Sequence, residues 1–372
     1  MSNSFSIFSR RAFLASTAAM AATSACAKSE DLRLFVGTYN GDDAKGLYPL
    51  NYSTATDTWS VGQPVPQVEN LSFGAYSPKF KRHYLLNESD NGRVAAWTSA
   101  NGKWTRTSDQ SSEGSSPCYA ALSRDERALA IANYGGGNIV VYPLSDAGEL
   151  LASAANRKNS GSGPNKDRQG GPHAHWVQFS PDQKHIYSVD LGTDQVLAYG
   201  YDAARRTVAE AVTAFQAPPG SGPRHLAFHP AGEVAFLVTE LSNQLISLKK
   251  NADGSLTQIQ TASLLPADFA GKSQAAHIAV NAAGTRVYAS NRGHHSIAVF
   301  ETDALGGLKL LQIAPTLGDW PRFFALYEDH KRVAVAHQRS NDIVIFTLND
   351  DGTLTPKNQK VEVPRPVFIG AV

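Results

Sequence analysis

The 372-residue sequence predicts an all-β, seven-bladed β-propeller, and three observations carry that reading. One pattern of short alternating strands recurs at a period of about 50 residues, the length of a propeller blade. No segment beyond residue 28 places apolar residues at the i, i+3, i+4 spacing of a long helix. The two ends of the body each hold a fragment of the repeat, and the fragments complement each other.

Blade one opens with Leu32–Tyr39 (LRLFVGTY), which reads as a second strand, and Gly46–Tyr52, which reads as a third. Its first strand is missing. Six full repeats follow: Ser72–Trp97, Cys118–Tyr142, His175–Tyr199, Arg224–Leu248, Ala276–Phe300 and Arg322–Phe346. In each, an apolar strand ends at Ser-Pro or a similar turn. A second strand rich in Tyr, Val and Ala follows, and a Gly/Asn turn leads to a third. The second strands end at Glu88, Asn133, Asp190, Glu240, Asn291 and His337, 45 to 57 residues apart. The C-terminal Pro366–Ala371 (PVFIGA) supplies the strand that blade one lacks, which closes the ring and removes an exposed sheet edge. The Gly/Asn/Lys-rich insert Arg157–Gly171 is expected as a surface loop between blades three and four.

The N-terminus has a different character. Arg10-Arg11 precede a short Ala-rich run, the pattern of a twin-arginine export signal. The run is too short and too weakly apolar for a membrane span of about 20 residues. Ala25-Cys26-Ala27 offers a small-x-small cleavage site after Ala27. Residues 1–27 are therefore expected to engage the twin-arginine machinery, and residues 28–372 to form one periplasmic domain. Lipid attachment at Cys26 is the alternative, weakened by Thr23 where such signals carry Leu.

Without the leader the chain has 32 basic and 33 acidic residues, so no strong positive field is available for nucleic acid. Cys118 would be the single thiol, and no Cys/His spacing of a structural zinc site occurs. No motif implies a metal or other cofactor. GxSxG and HExxH are absent, which argues against serine-triad and zincin chemistry. Gly135-Gly136-Gly137 has no following helix and reads as a tight turn rather than a phosphate cradle.

In a propeller the first strand of each blade lines the channel and starts on the face where the second strand ends. Aligned on the turn, the repeats put Ser72, Cys118, His175, Arg224, Ala276 and Arg322 at the first channel position. The next position adds Trp176, His225, His277 and Phe323. The second-strand ends add Glu88, Asp190, Glu240 and, one place later, Arg292. Paired arginines suit a carboxylate or phosphate. Glu240 can act as a base or balance their charge, and the histidines can exchange protons near neutral pH. These side chains are expected in a solvated channel, replaceable without loss of folding.

The motifs Pro172-His173-Ala174-His175, Gly222-Pro223-Arg224-His225, Glu240-Leu241, Ser290-Asn291-Arg292-Gly293 and Pro321-Arg322-Phe323, in this order, resemble the bacterial propeller lactonases of the 6-phosphogluconolactonase type. The resemblance runs from about Leu32 to the C-terminus. It extends to the fungal 3-carboxy-cis,cis-muconate lactonising enzymes, whose site of one His, two Arg and one Glu maps onto the His173/His175 pair, Arg224, Glu240 and Arg292. The resemblance implies a lactone hydrolase acting on a sugar-derived or carboxylated lactone or a related organic acid. Catalytic roles are expected for His175, Arg224, Glu240 and Arg292, and substrate contacts for His173, His225, His277 and Arg322. A cycloisomerase with the reverse ring chemistry and a non-catalytic binding propeller are the alternatives. The familiar sugar-phosphate lactonases work in the cytoplasm, so an export signal is a departure that leaves the substrate open.

Overall fold

The computed structural model describes residues 30–41 and 43–372, so the expected leader, its cleavage site and Cys26 lie outside the described residues. Seven antiparallel sheets of four strands each form the blades. The only helix among the described residues is one 3-10 turn, Glu328–His330. Ring closure follows the sequence expectation. Pro366–Ala371 pairs with Leu32–Thr38, with Ile369 opposite Val36 and Phe368 opposite Gly37. At the outer rim Asp57 of blade one receives Arg332 Nη2 of blade seven at 2.9 Å and also pairs with Lys357, which ties the seam.

Two expectations change. Each blade has a fourth, outer strand that the three-strand pattern did not include, such as Thr207–Gln216 and Leu354–Glu362. These strands are largely exposed, so burial imposes little alternation on them. The insert is also not a plain surface loop. Arg157 lies in the outer strand Ala155–Lys158 of blade three, and Asn159 and Gln169 are buried. Gln169 Nε2 donates to Leu191 O at 2.9 Å and to Asp194 Oδ1 at 2.8 Å, which pins the insert to blade four.

The sheets pack face to face through apolar layers, one of which joins Trp176, Tyr187 and Val189 of blade four to Leu226, Leu237 and Ile246 of blade five. A buried phenol needs a hydrogen-bond partner. Tyr84, Tyr187 and Tyr288, on second strands of alternate blades, donate to Gly148 O, Gly254 O and Gly352 O of the next blade at 2.7–2.8 Å.

One irregularity positions the site. Near the channel end of the inner strands the ladder skips between Pro117 and Tyr119, Ala174 and Trp176, Pro223 and His225, and Pro321 and Phe323. A bulge of this kind leaves one residue unpaired and re-aims its side chain. The skipped residues are Cys118, His175, Arg224 and Arg322. Consecutive side chains can then meet, as Arg224 and His225 do.

Candidate active site

Below the channel mouth six rings from six blades close a circuit: Phe73, Tyr119, His225, His277, Phe323 and Phe368. Successive centroids lie 3.9, 5.1, 5.5, 4.2, 5.2 and 4.7 Å apart, starting from Phe73–Tyr119 and ending at Phe368–Phe73. These rings form an aromatic layer on the inner strands.

The polar layer sits one residue nearer the mouth. Glu240 is its centre. Oε2 takes Arg224 Nε at 3.0 Å and Arg292 Nη2 at 2.8 Å, while Oε1 takes Arg168 Nη2 at 2.6 Å. The side chains of Glu240, Arg224 and Arg292 are only 3–5% exposed, against 30% for Arg168. Burial alone would raise the Glu240 carboxyl, but Arg292, Arg224, His175 and Arg168 outweigh it and hold the carboxyl well below the usual range. Arg224 is pushed down to about 9 by burial, Arg292 and Arg322, and still keeps its charge at neutral pH. Arg292 is steadied on one side by Ala275 O at 2.9 Å and on another by the Trp320 ring, 5.4 Å from its Cζ.

Across the mouth stands a second cluster. Arg322 Nη2 donates to Tyr39 Oη at 2.7 Å, and Tyr39 donates to Glu88 Oε2 at 2.8 Å. Burial together with this carboxylate neighbour holds the Tyr39 phenol above its usual range. Glu88, Tyr134, Glu240 and Arg292 each follow the last residue that a second strand pairs with a third, and Tyr39 directly follows the second strand of blade one. The sequence register put Glu240 at the strand end and Arg292 one place later. In the structure Thr239 pairs with Gln244 and Asn291 with Ser296, so the two are equivalent. Asp190 is one place earlier and is spent on structure, accepting His173 N, Gly192 N, Thr193 N and Asn159 Nδ2.

The histidines divide by role. Arg224 Nη1 donates to His225 Nε2 at 2.9 Å, which leaves the His225 proton on Nδ1 to point at His277 Nδ1, 3.3 Å away. Burial, followed by the arginine charge, lowers both, His277 to about 3. His225 thus braces Arg224 directly, and His277 stands behind it. His175 is buried among the charges, with Nδ1 3.7 Å from Cys118 Sγ. Burial first and Arg224 second hold it well below the ordinary histidine range. Burial and the arginine charge therefore favour the neutral forms of His175, His225 and His277 at pH 7. Cys118 is a poor nucleophile, because burial raises its thiol. His173 lies outside this layer, stacked on Tyr134 at 4.4 Å with Nδ1 2.9 Å from Tyr134 O.

The structure thus brings His175, Arg224, Glu240 and Arg292 together, with Arg322 opposite. Where a solvated channel was expected, Glu240, Arg224 and Arg292 form a buried layer of paired charges. Sequence reasoning missed Tyr39, Tyr134 and Arg168. Tyr39 already ended the second strand read for blade one, and Tyr134 follows from a one-residue shift of the register; the insert holding Arg168 lies outside the repeat. Backbone freedom is needed beside the arginines: Gly222 and Gly293 have φ of +58° and +102°, and a Cβ on Gly293 would come within 2.3 Å of Lys272 O. Among the described residues no group of three or more His, Cys, Asp or Glu is arranged to hold a metal.

The family described as "Lactonase, 7-bladed beta-propeller" matches residues 33–371. The chain is 33% identical to a 6-phosphogluconolactonase of Bacillus subtilis (strain 168) over 341 residues, 90% of this chain and 97% of that protein. A crystal structure of a putative 6-phosphogluconolactonase from Bacteroides fragilis superposes with a TM-score of 0.84 at 31% identity, covering 93% of this chain and 99% of that one. A periplasmic gluconolactonase of Pseudomonas aeruginosa gives a TM-score of 0.83 at 30% identity, covering 91% and 98%. With the family match spanning the whole propeller, this chain belongs to the seven-bladed β-propeller lactonases.

Proposed function

We propose that the protein hydrolyses an anionic, sugar-derived lactone at the channel mouth. One observation carries this reading: four guanidinium groups, Arg168, Arg224, Arg292 and Arg322, share two carboxylates, Glu88 and Glu240, while the enclosed histidines are neutral. The surplus positive charge is low in solvent and calls for an anion.

In this mechanism Arg224 and Arg292 face the lactone carbonyl and stabilise the oxyanion. His175, neutral, takes a proton from water as the water oxygen bonds to the carbonyl carbon. The tetrahedral intermediate collapses, the bond from carbonyl carbon to ring oxygen breaks, and the imidazolium returns the proton to the departing alkoxide. The product is the open hydroxy acid. Glu240 does not act as acid or base, because three arginines keep it ionised and occupied. It fixes their geometry.

Turnover of a panel of phosphorylated, carboxylated and neutral lactones by the purified protein tests the activity. His175→Asn should lower kcat by about 10²–10³-fold, the usual effect of losing a positioned base, and His173→Gln by less than about tenfold. Because burial and Arg224 depress His175, kcat/KM should stay flat from about pH 8 to pH 6 and fall only below the ordinary histidine range. A midpoint near 6.5, or full activity in His175→Asn, overturns the base assignment.

We also propose that the chain reaches the periplasm by the twin-arginine route, on the Arg10-Arg11 pair and the Ala25/Ala27 spacing. The periplasmic relative in Pseudomonas aeruginosa is in keeping with this. Replacing both arginines by lysine should leave unprocessed precursor in the cytoplasm; normal processing of that variant refutes the route.

A further inference from the structure

Arg168 differs from the other arginines of the mouth in three ways. It comes from the insert between blades three and four, not from a strand or its turn. It is the outermost cation on Glu240, with 30% of its side chain exposed against 3% for Arg224 and 5% for Arg292. Its protein contacts use one nitrogen: Nη2 donates to Glu240 Oε1 at 2.6 Å and to Tyr134 Oη at 3.3 Å. Among the described residues, Nε and Nη1 have no partner. Arg224 has only Nη2 uncommitted, because Nε serves Glu240 and Nη1 serves His225 and Ala276 O.

The backbone under Arg168 is held firmly. Its N–H donates to Asn165 O at 3.1 Å, and the next residue, Gln169, is fully buried and bonded to blade four. The spare edge of the guanidinium is therefore presented at a fixed place on the solvent side of the mouth. Nη1 and Nε keep free N–H donors on a fixed base, and an oxyanion can take charge-assisted hydrogen bonds from them.

We propose that Arg168 is a specificity-determining residue that binds the anionic substituent of the lactone, a phosphate or carboxylate remote from the carbonyl. The deeper arginines act at the ring. This rests on the lactonase reading above. It assigns charge selection to the insert rather than to the repeat.

The test compares wild type, Arg168→Gln and Arg168→Lys on 6-phosphogluconolactone, glucarolactone and neutral gluconolactone. Arg168→Gln should raise KM for the charged lactones roughly 10- to 100-fold, the range for losing charge-assisted hydrogen bonds. The ratio of KM for charged lactones to KM for gluconolactone should rise by the same factor, over any common loss that the disturbed Glu240 imposes on both. Arg168→Lys should recover part of the loss. The charged lactone that suffers the larger rise identifies phosphate or carboxylate as the natural substituent. An equal loss on charged and neutral lactones, or a fall in kcat alone, means that Arg168 acts only through Glu240 and overturns the proposal. If wild type opens none of the lactones, the lactonase reading fails. Calorimetric binding of 6-phosphogluconate and gluconate then decides on Arg168 separately. A preference for the phosphorylated acid that disappears in Arg168→Gln upholds its role, and no preference in wild type ends it.

Discussion

Deleting Pro366–Val372 should abolish cooperative unfolding and drive the protein into aggregates. The segment is the inner strand of blade one and buries Val367, Phe368 and Ile369. Burying such a side chain contributes about 1.5–3 kcal/mol, so three of them approach the whole net stability of a domain, roughly 5–15 kcal/mol. Phe368 also belongs to the aromatic layer, 4.7 Å from Phe73 and 5.2 Å from Phe323. Its loss removes part of the aromatic layer as well as the ring closure. The truncation leaves Leu32–Thr38 as an unpaired edge with Phe35 and Val36 uncovered, a template for pairing with another chain. Size-exclusion profiles and urea unfolding of the truncated protein check this. A monomer with an unchanged unfolding midpoint would show that closure does not depend on the strand.

That strand was visible in the sequence because a closed ring leaves its two ends incomplete in complementary ways. The blades were visible for a related reason: inner strands are packed on both faces, which forces apolar residues into a period that turns then punctuate. The outer strands carry no such constraint. In Thr207–Gln216 only Val208 and Ala214 are buried, so its residues can vary without a pattern. Arg224, Arg292, Arg322 and Glu240 were legible because they break the apolar pattern at fixed repeat positions, which Arg168 in the insert does not. Tyr39 and Tyr134 break nothing, since Tyr is common in these strands. The bulges that aim Cys118, His175, Arg224 and Arg322 are a backbone event with no residue signature.

The burial of Glu240 among three arginines predicts a structural duty for this site residue, and Glu240→Ala measures it. The variant should be less stable by about 3–5 kcal/mol, the cost of stranding buried charges. Arg224 and Arg292 would remain 3% and 5% exposed with their shared counter-charge gone, and Arg168 would lose its anchor. Glu240→Gln keeps an acceptor and the volume, so its loss should be smaller but of the same sign. The pH dependence separates charge from packing. The folded carboxyl is held below its unfolded value of about 4.3, so its stabilisation is complete above that pH and lost as pH falls through the lower folded value. The gap between wild type and Glu240→Gln should therefore be constant from about pH 8 down to pH 5 and shrink on further acidification. Urea midpoints at pH 7 and near pH 3.5 read both effects. Equal midpoints at pH 7 would mean that solvent compensates the arginines and that the site is wet. A gap that persists unchanged into acid would assign the loss to packing around Glu240 instead of its charge.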